Sequence, residues 1–335
     1  MRLIVLVLLV SSCLRPSSAL AATAPASADA PPITDLATMV VSGAQPGPGM
    51  WKVSKGDHVL WILGTLSPLP KGMEWQSREI EAVIAQSQEV LSSPGVALNV
   101  KIGVFQGLML APKLLGIRRN PDGASLQQIV PADIYARWLP LKRKYIGNDR
   151  GIEAWRPLFA AIELYEDAIH KSGLTERSNV DSVIKAAIKR NKVKVTAPMV
   201  KLVIEDPKAA VNEFRASSMD DVDCFDKTMQ RLETDLDTMV ARANAWAVGD
   251  IEALRQLPHA NQMDACVKAT TEAGFARKRG FGDIDARVQQ RWLADAEAAL
   301  ANNRVTFATL EMPELLKPDG YLARLQAQGY AVQAP

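Results

Sequence analysis

From Val59 to Gly64 the chain runs Val-Leu-Trp-Ile-Leu-Gly without a single polar side chain. A strand of this kind has no face to give to water, so it belongs in the interior of a sheet with cover on both sides. Trp51-Lys52-Val53 and the turn residues Ser54-Lys55-Gly56-Asp57 precede it, making His58 to Leu63 the second strand of a β-hairpin. The strand stops at Gly64, and a polar loop with Pro68 and Pro70 leads to a helix expected around Ser77 to Gln88. There Ile80, Val83, Ile84 and Ser87 share a face at helical spacing. A short strand, Glu89 to Leu91, follows. Strand, helix and strand in this order predict a right-handed parallel crossover, and hence an α/β fold.

From Val104 to about Met219 the pattern is mainly helical, with helices expected over Phe105 to Leu115, Ala132 to Tyr145, Ile152 to His170 and Val180 to Arg190. Asn120-Pro121-Asp122-Gly123 and Gly147-Asn148-Asp149 read as turns between them, and Lys192 to Val195 as a strand. Asp220 to Ala247 is one long amphipathic stretch with Met229, Leu232, Leu236, Met239, Val240 and Ala243 on one stripe. Within it, Glu233 to Asp237 reads as a solvated face. Gly249-Asp250 ends the stretch, and Asp250 is placed to cap a short helix over Ile251 to Gln256. A helix over Ile284 to Leu300, a strand over Arg304 to Leu310 and a helix over Pro318 to Gln328 come next. Gly329 is the C-terminal cap of that helix, and Tyr330 to Val332 a closing strand. The expected architecture is a mixed central sheet flanked by helices, with a helical insertion in the middle of the chain. No internal repeat is visible.

The N-terminal residues bear on compartment. Arg2, the apolar run Leu3 to Val10 and the small residues Ala19-Leu20-Ala21 read as a secretory signal over residues 1–21. The run is too short for a helix spanning about 30 Å of hydrocarbon, and no other run in the sequence is long enough, so no transmembrane segment is expected after processing. An alternative reading takes Val10-Ser11-Ser12-Cys13 as a lipoprotein motif anchored through Cys13. Residues 22–47, rich in Ala, Pro, Ser and Gly, read as a flexible leader, and residues 48–335 as the folded domain. The expected location is periplasmic or secreted. Apart from Cys13 there are two cysteines, Cys224 and Cys266, and an even pair in an oxidising compartment predicts a disulfide. A net charge of +2 with no basic stripe argues against nucleic-acid binding.

Five passages together resemble the TraB/GumN family, relatives of bacterial pheromone-shutdown and exopolysaccharide-cluster proteins and of the Tiki proteases. They are the hairpin ending in Leu63-Gly64-Thr65-Leu66, the helix-strand unit after it, Ala243 to Leu254, the region around Trp292, and Pro318-Asp319-Gly320-Tyr321-Leu322 running to Gly329-Tyr330. The resemblance spans nearly all of Trp51 to Val332. It implies an α/β sheet flanked by helices, with a site on loops at the sheet's edge. Two Gly-x-x-His motifs and an acidic residue would there build a divalent-metal hydrolytic site.

At those positions this chain departs from the pattern. The first motif reads Gly64-Thr65-Leu66-Ser67, and the second reads Glu311-Met312-Pro313-Glu314. The family's glutamate aligns with Ser93, and Val288 and Gln289 stand where an Arg-Asn pair precedes Trp292. A catalytic transition-metal site takes about three protein ligands and an open position. Serine is a poor ligand at neutral pH, and two carboxylates alone make a weak site even for a hard cation. No cofactor is therefore expected, although the resemblance implies a divalent metal in the family.

Gly64, Ser67, Ser93, Glu311 and Glu314 are the candidate site residues. The leading expectation is a non-catalytic binding or scaffolding protein of the cell envelope, its partner an envelope protein, a peptide or a glycan. The alternative is a peptidase-like or polysaccharide-related hydrolase, metal-dependent or using Ser67 with Glu311 and Glu314. A serine nucleophile needs an adjacent base. His58 stands about 30 Å from Ser67 along an extended strand, His170 ends a helix, and His259 has no partner in the sequence. Lys71 and Lys317 lie near the two loops and read as solvated. Trp155, Arg156, Pro157 and Tyr165 have the spacing of packing residues rather than of a groove.

Overall fold

The structure is a computed structural model, and it describes residues 43–101, 116–216, 221–257, 266, 277 and 280–335. The expected signal with Cys13, the leader as far as residue 42, the helix expected over 105–115 and His259 lie outside these residues. The described chain opens with β1 (Ala44–Gln45), the hairpin strands β2 (Met50–Lys55) and β3 (His58–Thr65), then β4 (Leu69–Pro70) and β5 (Glu74–Trp75). Helix α1 (Arg78–Gln86) leads to β6 (Glu89–Leu91) and β7 (Gly95–Val100). A mainly helical stretch holds α2 (Leu126–Ile129), α3 (Ala132–Tyr145), α4 (Pro157–Lys171), β8 (Leu174–Thr175) and α5 (Val180–Asn191). After β9 (Lys194–Thr196) and β10 (Met199–Ile204) come α6 (Pro207–Ala216), α7 (Asp221–Thr234), α8 (Leu236–Val248) and α9 (Ile251–Gln256). The last elements are α10 (Ile284–Asn302), β11 (Val305–Glu311), α11 (Met312–Leu316), α12 (Tyr321–Ala327) and β12 (Ala331–Gln333).

A mixed sheet of six strands in the order β12-β2-β3-β11-β6-β9 organises the fold. The hairpin β2/β3 is antiparallel and β12 adds antiparallel to β2, while β3, β11, β6 and β9 run parallel. The crossover from β3 through α1 to β6 does yield parallel strands, but they are not neighbours, because β11 from the far end of the chain lies between them. The physical reason is burial. Five consecutive residues of β11, Thr306 to Leu310, are buried, so the strand needs cover on both faces and takes the middle of the sheet. Both α1 and α10 pack against it.

Other departures from the expected boundaries have local causes. The helix expected over 152–170 is a short 3-10 turn at Gly151–Ala154 and then α4, because Pro157 opens a helix well and keeps Arg156 extended at ψ 144°. The stretch expected as one helix over 220–247 is α7 and α8, broken at Asp235. Asp235 is not on a solvated face. It is buried, with Arg231 and Arg242 each at 3.3 Å from its carboxylate. Asp250 caps α9 as its position predicts, accepting the backbone N–H of Ala253 at 2.9 Å. Cys224 and Cys266 are joined in a disulfide, with Cα atoms 4.6 Å apart.

Two features, among others, have no counterpart in the sequence reading. β7 and β10 form a separate parallel ribbon, with Val200 and Leu202 packed on Phe281, Ile284 and Val288 beside α10. Residues 43–47, at the end of the segment expected as leader, are tied to the domain. Ala44–Gln45 pair with Glu74–Trp75, and the Gly47 N–H donates to the Ala247 carbonyl at 2.8 Å. No helix among the described residues is long and apolar enough to cross a membrane.

Candidate functional site

The carboxyl ends of the parallel strands are where an α/β sheet of this kind opens a crevice. β11 ends at Glu311, and α11 begins on the next residue with Pro313 in its first turn, which turns the chain sharply and projects Glu314 beside Glu311. β6 ends at Leu91, two residues before Ser93, whose hydroxyl lies 3.0 Å from that of Thr309 on β11. The first turns of α10 bring Asp285, Val288 and Gln289, and α12 begins with Tyr321. With Gly95 and Val96 of the ribbon, these residues line a pocket of about 610 Å³.

Ser93, Glu311 and Glu314 thus come together, as do Val288 and Gln289. Ser67 does not join them. It is exposed beyond the end of β3 and is not among the residues lining the pocket. Gly64 has a packing role. A Cβ there would stand 2.5 Å from Cε and 2.9 Å from Sδ of Met312, so the absent side chain lets α11 seat on β3. The Gly64 carbonyl accepts the indole N–H of Trp246 at 2.8 Å, which ties α8 to the same strand end.

Among the described residues, Asp285, Glu311 and Glu314 set the pocket's charge against one lysine, Lys317, which pairs with Glu314. Crowding by protein raises the Glu311 carboxyl above the usual carboxylate range, the neighbouring Glu314 adds to this, and Lys317 partly offsets it. One edge of Glu311 nonetheless remains open to solvent. The Tyr321 hydroxyl is pushed up to about 12, chiefly by burial and then by Glu314, Glu311 and Asp285. Its ring packs edge-on against Trp292, with centroids 5.1 Å apart.

As a metal site the pocket offers a serine hydroxyl and carboxylates. Among the described residues, no group of three or more His, Cys, Asp or Glu side chains is placed to hold a metal ion. The donor set therefore does not fit a catalytic divalent-metal centre of about three converging ligands. The described histidines are engaged elsewhere: His58 Nδ1 lies 2.6 Å from the Leu300 carbonyl, and His170 Nδ1 lies 3.1 Å from Lys71 Nζ. Lys71 also donates to the His170 carbonyl at 2.8 Å. Arg156 and Tyr165 are buried, with Arg156 3.8 Å from Asp221.

Asp285 and Tyr321 are lining residues that the sequence reading does not name as site residues, although Tyr321 stands in one of the passages that carry the family resemblance. For Asp285 a signal existed. It sits three, four and seven residues before Val288, Gln289 and Trp292, the spacing of one helical face.

Among known proteins, the family model described as TraB/PrgY/gumN family matches residues 49–334. No curated protein and no solved structure matches the chain.

Proposed function

Because the chain belongs to the TraB/PrgY/gumN family, we propose that it keeps the family's fold as an exported binding or scaffolding protein of the cell envelope and does not carry out metal-dependent hydrolysis. The observation that carries this reading is the chemistry of the strand-end pocket. Where the resemblance calls for imidazole ligands, the chain has Ser67 outside the pocket and Glu314 inside it, tied to Lys317. A carboxylate already neutralised by a lysine is a weak donor for a catalytic ion. The reading of Ser67, Glu311 and Glu314 as a metal-free hydrolytic group is not favoured, because the serine is not among the residues lining the pocket that holds the two carboxylates. Export is supported by the Cys224–Cys266 bridge, a bond typical of oxidising compartments.

Elemental analysis of the purified full chain, with a peptidase assay in Mn²⁺ and in Co²⁺, tests the proposal. The expected result is substoichiometric metal and no turnover above the blank. Stoichiometric metal with turnover that Glu314→Ala abolishes would overturn it.

A further inference from the structure

The pocket's unused groups are carboxylates. Glu311 and Asp285 reach it from different elements, the end of β11 and the first turn of α10, and among the described residues neither has an ion-pair partner. A second, independent feature is Tyr321. It is 4 % exposed, it lines the pocket, and among the described residues its hydroxyl has no hydrogen-bond partner. A buried tyrosine ordinarily satisfies its O–H. Here the hydroxyl is not among the fully enclosed unpartnered polar atoms, so it opens on the pocket.

Resting on the reading of this pocket as a binding site, we propose that it takes a small organic cation, an alkylammonium or alkyldiammonium, held by Glu311 and Asp285 with the Tyr321 oxygen as a further acceptor. Ammonium groups carry three donors and no acceptor, matching a pocket rich in acceptors. Pro94, Val96, Ala286, Val288 and Leu310 give the walls an apolar stretch that suits the alkyl body. Among the described residues no three such side chains are placed to hold a metal ion together, so a bare ion gains little here, whereas a diammonium brings two separate charges to pair. An anion would meet three carboxylates and one lysine that is already paired.

Calorimetric titration of the full chain with 1,5-diaminopentane tests this, with pentanoate and CaCl₂ as parallel titrants at the same ionic strength. The expected result is saturable binding of the diamine that Glu311→Gln weakens about tenfold or more, since a charge-assisted hydrogen bond is lost. Asp285→Asn should weaken it similarly from the helix side, and Tyr321→Phe less. Asp223→Asn, which removes an exposed pair with Lys227 on α7, should leave it unchanged. Circular dichroism and the urea midpoint of each variant report whether the fold is kept, and the two isosteric amide variants act from separate elements, so one misfolded protein does not decide the matter. Absence of diamine binding, binding as tight as the parent's in both amide variants, or a Ca²⁺ response as strong as the diamine's would overturn the proposal. Pentanoate binding strengthened by Glu311→Gln would also overturn the cation class, while leaving the non-catalytic reading to the metal and peptidase measurements.

Discussion

Alanine at position 64 would place a methyl carbon 2.5 Å from Cε and 2.9 Å from Sδ of Met312, and 3.1 Å from Cδ1 of Leu315. Carbon atoms rest about 3.5–4.0 Å apart, so the neighbours must retreat by roughly 1 Å. Met312 is fully buried and cannot simply swing into solvent. Overpacking of this kind costs about 1–3 kcal/mol, against a net stability on the order of 10 kcal/mol. Urea unfolding of Gly64→Ala should show that loss as a lower midpoint with an unchanged slope. A double-mutant cycle isolates the cause. Met312→Ala alone should cost about 2–5 kcal/mol through the cavity it leaves, and in the double variant the new methyl occupies part of that cavity. The double variant should therefore be less destabilised than the sum of the singles by roughly 1 kcal/mol or more. Strict additivity, or a Gly64→Ala midpoint equal to the parent's, would refute the claim that this glycine is there to seat α11.

Replacing Cys224 and Cys266 together by serine releases a loop of 42 residues, which in the chain-entropy account costs about 4 kcal/mol; a urea midpoint within about 1 kcal/mol of the parent would contradict that. Burial acts to raise the Glu89 carboxyl, but hydrogen bonds from Thr196, Lys194 and Asn303 outweigh it and hold the group below the usual range. Its folded value is the lower one, so its stabilisation is full above the unfolded glutamate value of about 4.3 and is lost as pH falls through the folded value. The stability gap between the parent and Glu89→Gln, followed by thermal unfolding, should close in that acidic window. Glu311 has the opposite sign. Its folded value is raised, so its charged form costs stability at neutral pH, and the cost disappears as pH falls through the raised value toward the unfolded one. Glu311→Gln should match or exceed the parent in thermal midpoint at neutral pH and lose that advantage below pH about 4; a variant less stable than the parent at neutral pH would contradict this.

Elements set by near neighbours in the chain were legible without coordinates. The apolar run from Val59 to Leu63 announced a covered strand, Asp250 announced a cap, and Ile80, Val83 and Ile84 announced one face of α1. Breaks inside helical stretches were harder. Pro157 carried a readable signal, whereas Asp235 is a charged residue at a buried junction, and only the approach of Arg231 and Arg242 shows why it is not solvated. The ribbon of β7 and β10 is not legible in the sequence, because its pairing joins segments about a hundred residues apart and its apolar alternation is short. At the candidate site, Ser93, Glu311 and Glu314 were legible through motif position, while Asp285 and Tyr321 entered through the packing of α10 and α12 over the strand ends.

Taken alone, the order of residues determined the kinds of element, the α/β class, the pairing of two cysteines and the family to which the chain belongs. These follow from interactions within a few residues, or from a pattern carried along the chain. Tertiary structure decided that β11 separates β3 from β6, that Ser67 stays outside the pocket, and that Gly64 serves packing. Each of those depends on which distant surfaces bury one another. A strand buried on both faces claims the centre of a sheet wherever in the chain it arises, and it carries its terminal carboxylate with it.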